Sequence, residues 1–181
     1  GKAKASRLVF VDIIEPKREY LNSYIQACRE TFGHVHNNYI IHDPEKSHIW
    51  RTTIFDDYKN SALGVNLPQG YMPNKTYWIV DKGEYIGTVN IRLKLNDVLR
   101  TYGGSIGIMI RLKARNKGYA KKAFAQSLIL AKKLGLKEIL VSCFENNIYS
   151  HKILLGSPYK SRESQMVVFD GKSQRIWRFF F

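Results

Sequence analysis

Residues 104–143 constrain the fold of this chain more than any other stretch. Gly104–Ile110 (GSIGIMI) is a nearly unbroken apolar run, the pattern of a strand buried on both faces. Glu138–Cys143 (EILVSC) is a second buried strand. Between them, Ala120, Ala123, Phe124, Ser127, Leu128 and Ala131 recur at i, i+3, i+4 spacing, which predicts a long helix over about 118–134. Gly135 suits the position after its last turn, and Lys132 and Lys133 suit the negative end of its dipole. Strand, helix and strand in this order imply a right-handed crossover and parallel pairing of the two strands.

The flanking segments follow a different period. Leu8–Ile14 reads as a short strand, ended by Glu15-Pro16. Pro16 opens a helix in which Tyr20, Tyr24, Ala27 and Thr31 share a face. A weaker helix is expected over about 46–59. Residues 60–75 hold Gly64, Pro68, Gly70 and Pro73 and read as a loop, long enough to be functional. Thr76–Val80 and Tyr85–Leu93 are expected to form a hairpin about Asp81-Lys82-Gly83-Glu84. Asn96–Tyr102 reads as a connector. Asn147–Leu155 is expected as a short helix opened by Asn147. Two strands near Gln165–Phe169 and Arg175–Phe181 then turn at Asp170-Gly171.

Composition sets the outer limits. At 181 residues the chain suits one domain, expected over 7–181, with 1–6 a disordered or expression-derived start. Apolar residues at 44% and charged ones at 24% are a globular balance. No stretch reaches the roughly 18 apolar residues of a membrane span, and the start lacks the apolar core of a secretion signal, so the cytoplasm is the expected compartment. Cys28 and Cys143 make no disulfide framework and no metal-ligand spacing.

Charge is unevenly placed. The net is +14, yet residues 1–60 are close to neutral. Residues 111–137 carry Arg111, Lys113, Arg115, Lys117, Lys121, Lys122, Lys132, Lys133 and Lys137 with no acidic residue among them. Such a run is either a solvated face or a site for a phosphorylated ligand or nucleic acid. Within it, Arg115-Asn116-Lys117-Gly118-Tyr119-Ala120 lies between the buried strand and the long helix. A helix start offers unpaired N–H donors and a positive dipole end, and Gly118 lets a pyrophosphate approach the backbone. No G-x-G-x-x-G is present. Gly171-Lys172-Ser173 lacks the earlier glycine of a Walker A motif, since that position is Met166.

The motif Arg115–Ala120 in its strand–helix–strand setting resembles the R/Q-x-x-G-x-G/A signature of the GNAT superfamily of N-acetyltransferases. Gly64-Val65-Asn66-Leu67-Pro68, Pro73, Thr76-Tyr77-Trp78 and Leu95-Asn96-Asp97 are similar to one bacterial group of predicted acetyltransferases within it. The likeness covers about 60–155 well and the first 60 residues more loosely. It implies an α/β (α+β) fold with a mixed, mainly antiparallel sheet of about six or seven strands, flanked by about four helices. A splayed parallel pair stands in the middle, and the pantetheine arm of acetyl-CoA enters that gap. The resemblance assigns Ile108, Met109 and Ile110 to the pantetheine and Arg115, Asn116, Lys117, Gly118, Tyr119 and Ala120 to the pyrophosphate. Asn147 would reach the pantetheine or the thiol end, and Ser150 is counted with it among the cofactor-binding residues. Direct acetyl transfer to a primary amine is implied, with acetyl-CoA as co-substrate and no metal.

In that reaction a neutral amine attacks a thioester, so a carboxylate or water must accept its proton. Backbone N–H groups are the natural donors to the oxygen that gathers charge. Glu145, just past the second buried strand, and Asp97 are the candidate bases. The family's usual Tyr, seven residues after the motif Asn, is replaced by Leu154, and Gly156-Ser157-Pro158 alters the usual glycine-rich end. The general acid is therefore open, with Tyr149 and His151 as neighbours on the helix. His34, His36, His42 and His48 are spaced too irregularly for a metal site. Cys143 reads as a buried hydrophobe. Tyr71, Tyr77, Trp78 and Tyr102 flank the expected acceptor side, and the 60–75 loop is where acceptor choice is expected.

The acceptor is a small molecule or peptide. So basic a chain disfavours polycations and favours neutral or acidic amines. The alternative is an inactive GNAT-like protein that binds CoA or nucleic acid. Charge gathered at the phosphate loop, without interleaved aromatics, speaks against nucleic acid without excluding it. No membrane partner is expected, and a homodimer is left open.

Overall fold

The computed structural model describes residues 11–35 and 37–181. Its strands are β1 (Asp12–Ile14), β2 (Asn74–Asp81), β3 (Glu84–Arg92), β4 (Ile106–Ile110), β5 (Leu140–Phe144), β6 (Ser161–Phe169) and β7 (Lys172–Phe180). The helices are α1 (Leu21–Thr31), α2 (Ser47–Trp50), α3 (Ile54–Leu63), α4 (Asp97–Thr101), α5 (Tyr119–Lys133) and α6 (Ile148–Leu155). No helix among the described residues is long and apolar enough to cross a membrane. The expected start at 1–6, the first residues of the Leu8–Ile14 strand and His36 lie outside the described residues.

Strand alternation builds a core on each face of the first sheet. β2 and β3 join through Lys82 and Gly83, both at positive φ (50° and 75°), the backbone of a two-residue hairpin turn. Tyr77 and Ile79 of β2, Val89 and Ile91 of β3 and Ile106 and Ile110 of β4 pack with Ala123, Phe124, Leu128 and Ala131 of α5. Trp78, Val80, Tyr85 and Met109 point the other way, against Leu21, Tyr24, Ile25 and Cys28 of α1 and Ile54 of α3. Each large side chain so buried contributes about 1.5–3 kcal/mol. This two-sided cover explains why these strands read as apolar runs.

All ladders are antiparallel, in two sheets with strand orders β1-β2-β3-β4 and β5-β7-β6. The parallel pairing expected of β4 and β5 forms no ladder among the described residues. Just before β4, an isolated bridge joins Gly104 to Val141 of β5. Ser105 N–H donates to Leu140 O (2.6 Å), and Ser105 Oγ accepts from Leu140 N–H (3.1 Å). Gly104 is required there: it sits at φ 66°, and a Cβ on it would lie 2.2 Å from Leu140 O. Beyond this clasp the sheets part.

Several other expectations shift. The helix over 46–59 is two helices, α2 and α3, and α3 ends at Gly64 in a left-handed conformation (φ 75°). The connector 96–102 contains α4, because Asn96 Oδ1 accepts from Leu99 N–H (3.0 Å) and caps it. The last two strands are longer than hydropathy marks, since their outward residues are polar on an exposed hairpin.

Candidate functional site at the split between the sheets

The free edge of β4 follows from its register. Arg92 N–H donates to Ser105 O (2.8 Å) and Arg111 N–H to Ile86 O (2.9 Å), so the odd-numbered residues of β4 turn their backbone groups toward β3. Alternation then turns the N–H and C=O of Ile106, Ile108 and Ile110 toward the split. Two side chains found on those carbonyls agree with this. Asn37 Nδ2 donates to Ile108 O (2.6 Å), and Arg115 Nε donates to Ile110 O (2.9 Å). The amides of Ile108 and Ile110 thus line the split as donors. Met109 faces otherwise: its backbone pairs with Thr88 and its side chain is buried against α1.

Past β4 the chain makes one short turn and reaches the Arg115–Ala120 loop. Asn116 (φ 61°) and Gly118 (φ 86°) are both left-handed, and α5 starts directly after. Gly118 makes no side-chain cap, so the first N–H groups of α5 have no partner from that residue. A Cβ on Gly118 would meet nothing within 4 Å, so the space before the helix start is clear. Tyr119 gives this loop only its backbone. Its hydroxyl donates to Asp81 Oδ2 (2.6 Å), tying the helix start to the β2–β3 turn, and burial with that acidic neighbour pushes the phenol up to about 12.

The nine-cation run is divided by the fold. Arg111 is fully buried, with Nε on Glu30 (2.7 Å) and Nη1 on Tyr85 O (3.0 Å), and is no surface charge. Arg115 is held against β4, and burial lowers its pKa. Lys113, Lys117 and Lys121 are exposed about the loop. Lys132, Lys133 and Lys137 lie at the other end of α5, about 22 Å along its axis.

At the far side of the split, Asn147 Oδ1 accepts from Ser150 N–H (3.3 Å) and caps α6. Tyr149 is exposed, and His151 stacks on Trp177 with ring centroids 5.5 Å apart. Leu154 is a core residue, so the family's usual Tyr position carries no proton donor here. Glu145 and Asp97 are not brought together. The Glu145 carboxylate accepts from Trp177 Nε1 (3.4 Å) and lies 4.0 Å from Arg175, while Asp97 is exposed in the first turn of α4.

Cys143 is buried, which pushes its thiol up to about 11. His34 and His48 are exposed, while His42 sits among Tyr24, Trp50 and Tyr58. No group of three His, Cys, Asp or Glu able to hold a metal occurs among the described residues. Tyr77 and Trp78 are packing residues on opposite sheet faces, Tyr102 packs on Phe144 and Phe169, and Tyr71 is exposed. Asn37 was not evident in the sequence, because a polar residue in a polar loop carries no periodic signal.

The arrangement can hold an extended ligand whose amide oxygens accept from the N–H groups of the β4 edge and whose polyanionic end meets the start of α5. A family model described as an acetyltransferase (GNAT) domain matches residues 18–156. No curated protein matches in sequence. Many solved structures share the fold. RimL, a ribosomal alpha-N-protein acetyltransferase in complex with coenzyme A, aligns with a TM-score of 0.64 at 10% identity over 96% of this chain and 94% of its own. A structure described as a probable acetyltransferase gives 0.62 at 14% identity, over 94% and 90%. A chimera of the Vibrio cholerae spermidine N-acetyltransferase SpeG with hSSAT gives 0.57 at 15% identity, over 94% and 93%. At such identities the likeness is one of fold.

Proposed function

The chain belongs to the GNAT acetyltransferase family, and from that premise we propose that it transfers an acetyl group from acetyl-CoA directly to a primary amine. The observation that carries this reading is the uncapped start of α5. A left-handed Gly118 with clear space before it follows the split-facing edge of β4 along the chain by one short turn. These features fit acetyl-CoA, with the pyrophosphate at the loop and the pantetheine amides against Ile108 and Ile110. Bound there, acetyl-CoA supplies the activated thioester.

The chain's own residues supply the rest. Beyond those pantetheine contacts, a further backbone N–H of the same split-facing edge is the preorganised donor for the thioester oxygen as it gains charge. Lys113, Lys117 and Lys121 offset the phosphate charge. The proton of the attacking amine passes to water or to Glu145 or Asp97. Because Leu154 lies in the core, the departing thiolate takes its proton from solvent. A thiol of pKa about 8.5 is a tolerable leaving group without further help.

The reading takes residues 7–181 as one catalytic domain working in the cytoplasm, with acceptor choice made by the loop after α3. Proteins of this fold are named for acceptors as different as spermidine and a ribosomal protein, so the fold does not choose the acceptor. A net charge of +14 disfavours polycations. The test is Gly118→Val, with acetyl-CoA affinity measured by calorimetry and turnover by thiol release over a panel of amines. The variant is expected to raise the acetyl-CoA Kd at least about tenfold, or about 1.4 kcal/mol. An unchanged Kd in a folded variant overturns the site.

A further inference from the structure

Three arginines are buried among the described residues: Arg92, Arg111 and Arg178. A guanidinium stays charged at any ordinary pH, and burying it is unfavourable unless an anion meets it. Arg111 has Glu30 at 2.7 Å, and Arg178 has Glu163 at 2.8 Å and Gln165 at 2.6 Å. Arg92 is only 6% exposed, yet no carboxylate pairs with it among the described residues. Its two contacts are long: Nη1 to Gly104 O at 3.5 Å and Nη2 to Tyr39 Oη at 3.4 Å.

The setting of Arg92 is that of a binding group. It is the last residue of β3, and its side chain lies on the sheet face opposite α5, over Gly107 of β4. A Cβ on Gly107 would come within 3.0 Å of both Nη atoms, so the absence of a side chain there makes the room. Gly107 precedes Ile108, whose amide faces the split. The Tyr39 ring covers the guanidinium at 5.8 Å and is itself 58% exposed. Asn37, two residues before Tyr39, holds Ile108 O. One loop therefore touches both the β4 edge and the unpaired cation.

We propose that Arg92 receives the carboxylate of the acceptor, and that the acceptor is a small amine carrying that carboxylate, of the amino-acid class. The inference rests on the acetyltransferase reading. Arg92 and the Ile108 amide flank Gly107, so a molecule with its carboxylate on the guanidinium presents a nearby amine to the split. The planar fork of donors matches a carboxylate in two parallel hydrogen bonds.

The test separates the inference from the reading beneath it. Acetyl-CoA affinity is measured by calorimetry for wild type, Arg92→Gln and Arg92→Lys. Thiol release is then measured for the common amino acids, for their amides, which keep the amine and lose the charge, and for phosphoethanolamine against ethanolamine. Wild type is expected to favour at least one amino acid over its amide by about a hundredfold or more in kcat/KM. Arg92→Gln is expected to abolish that preference with acetyl-CoA affinity unchanged, and Arg92→Lys to keep part of it. Equal turnover of acids and amides, no turnover of any amino acid, a stronger preference for the phosphate amine, or a preference that survives Arg92→Gln overturns the inference and leaves the acetyltransferase reading standing. Failure of wild type to bind acetyl-CoA overturns both.

Discussion

Mild acid is expected to destabilise this protein through His42. Its Nδ1 shares a hydrogen bond of 2.6 Å with the Tyr24 hydroxyl, and Trp50 lies over the ring at 4.6 Å. Burial lowers its pKa to about 4, against an ordinary value of 6.5, with Asp57 opposing only in part. The unfolded chain therefore binds a proton at a higher pH than the folded one. The neutral ring contributes stability that is fully present above about pH 6.5 and is lost as pH falls toward 4. Linkage sets the loss at about 2 kcal/mol by pH 5 and about 3 kcal/mol by pH 4. Urea unfolding at pH 7.5 and 5.0, for wild type and His42→Gln, isolates the effect, since other titrating groups are common to both. Wild type should lose about 2 kcal/mol more than the variant over that interval. Parallel losses would show that the ring titrates alike in the folded and the unfolded chain, and that burial does not lower its pKa.

Acetyl-CoA affinity should weaken clearly between about 50 and 500 mM salt, because charges about the loop act over a Debye length near 10 Å at moderate salt. Neutralising Lys117 and Lys121 should flatten that response, whereas neutralising Lys132 and Lys133, at the far end of α5, should not; equal effects in calorimetry would refute the division of the basic run. Tyr149→Phe and His151→Ala should each change kcat less than about tenfold on the proposed reading, in which solvent supplies the thiolate proton. A hundredfold fall in either, with acetyl-CoA binding intact, would place the acid on α6. Glu30→Gln leaves Arg111 buried without its counter-charge and should cost about 3 kcal/mol in urea unfolding; a loss below about 1 kcal/mol would mean that Tyr85 O and water suffice.

What the sequence determined by itself is whatever repeats along the chain or rests on local backbone chemistry. The apolar runs at 104–110 and 138–143 and the helical face from Ala120 to Ala131 name β4, α5 and β5, because burial on both faces leaves a periodic trace in hydropathy. Gly118 at a helix start and Asn147 at another were legible for the same reason, since left-handed φ and capping depend on one residue and its neighbours. What the tertiary structure alone decided are the contacts between distant segments. Arg111 read as one of nine surface cations, and only the fold brings Glu30, 81 positions earlier, to its guanidinium. A splayed pair was implied by the family resemblance, but the clasp of Gly104 and Ser105 on Leu140 that holds one end of it depends on how α5 returns the chain. Asn37 reaches Ile108 O across 71 positions, and Arg92 lies over Gly107 without an anion. Hydropathy records whether a residue is buried on average; it holds no record of which charge, if any, is buried beside it.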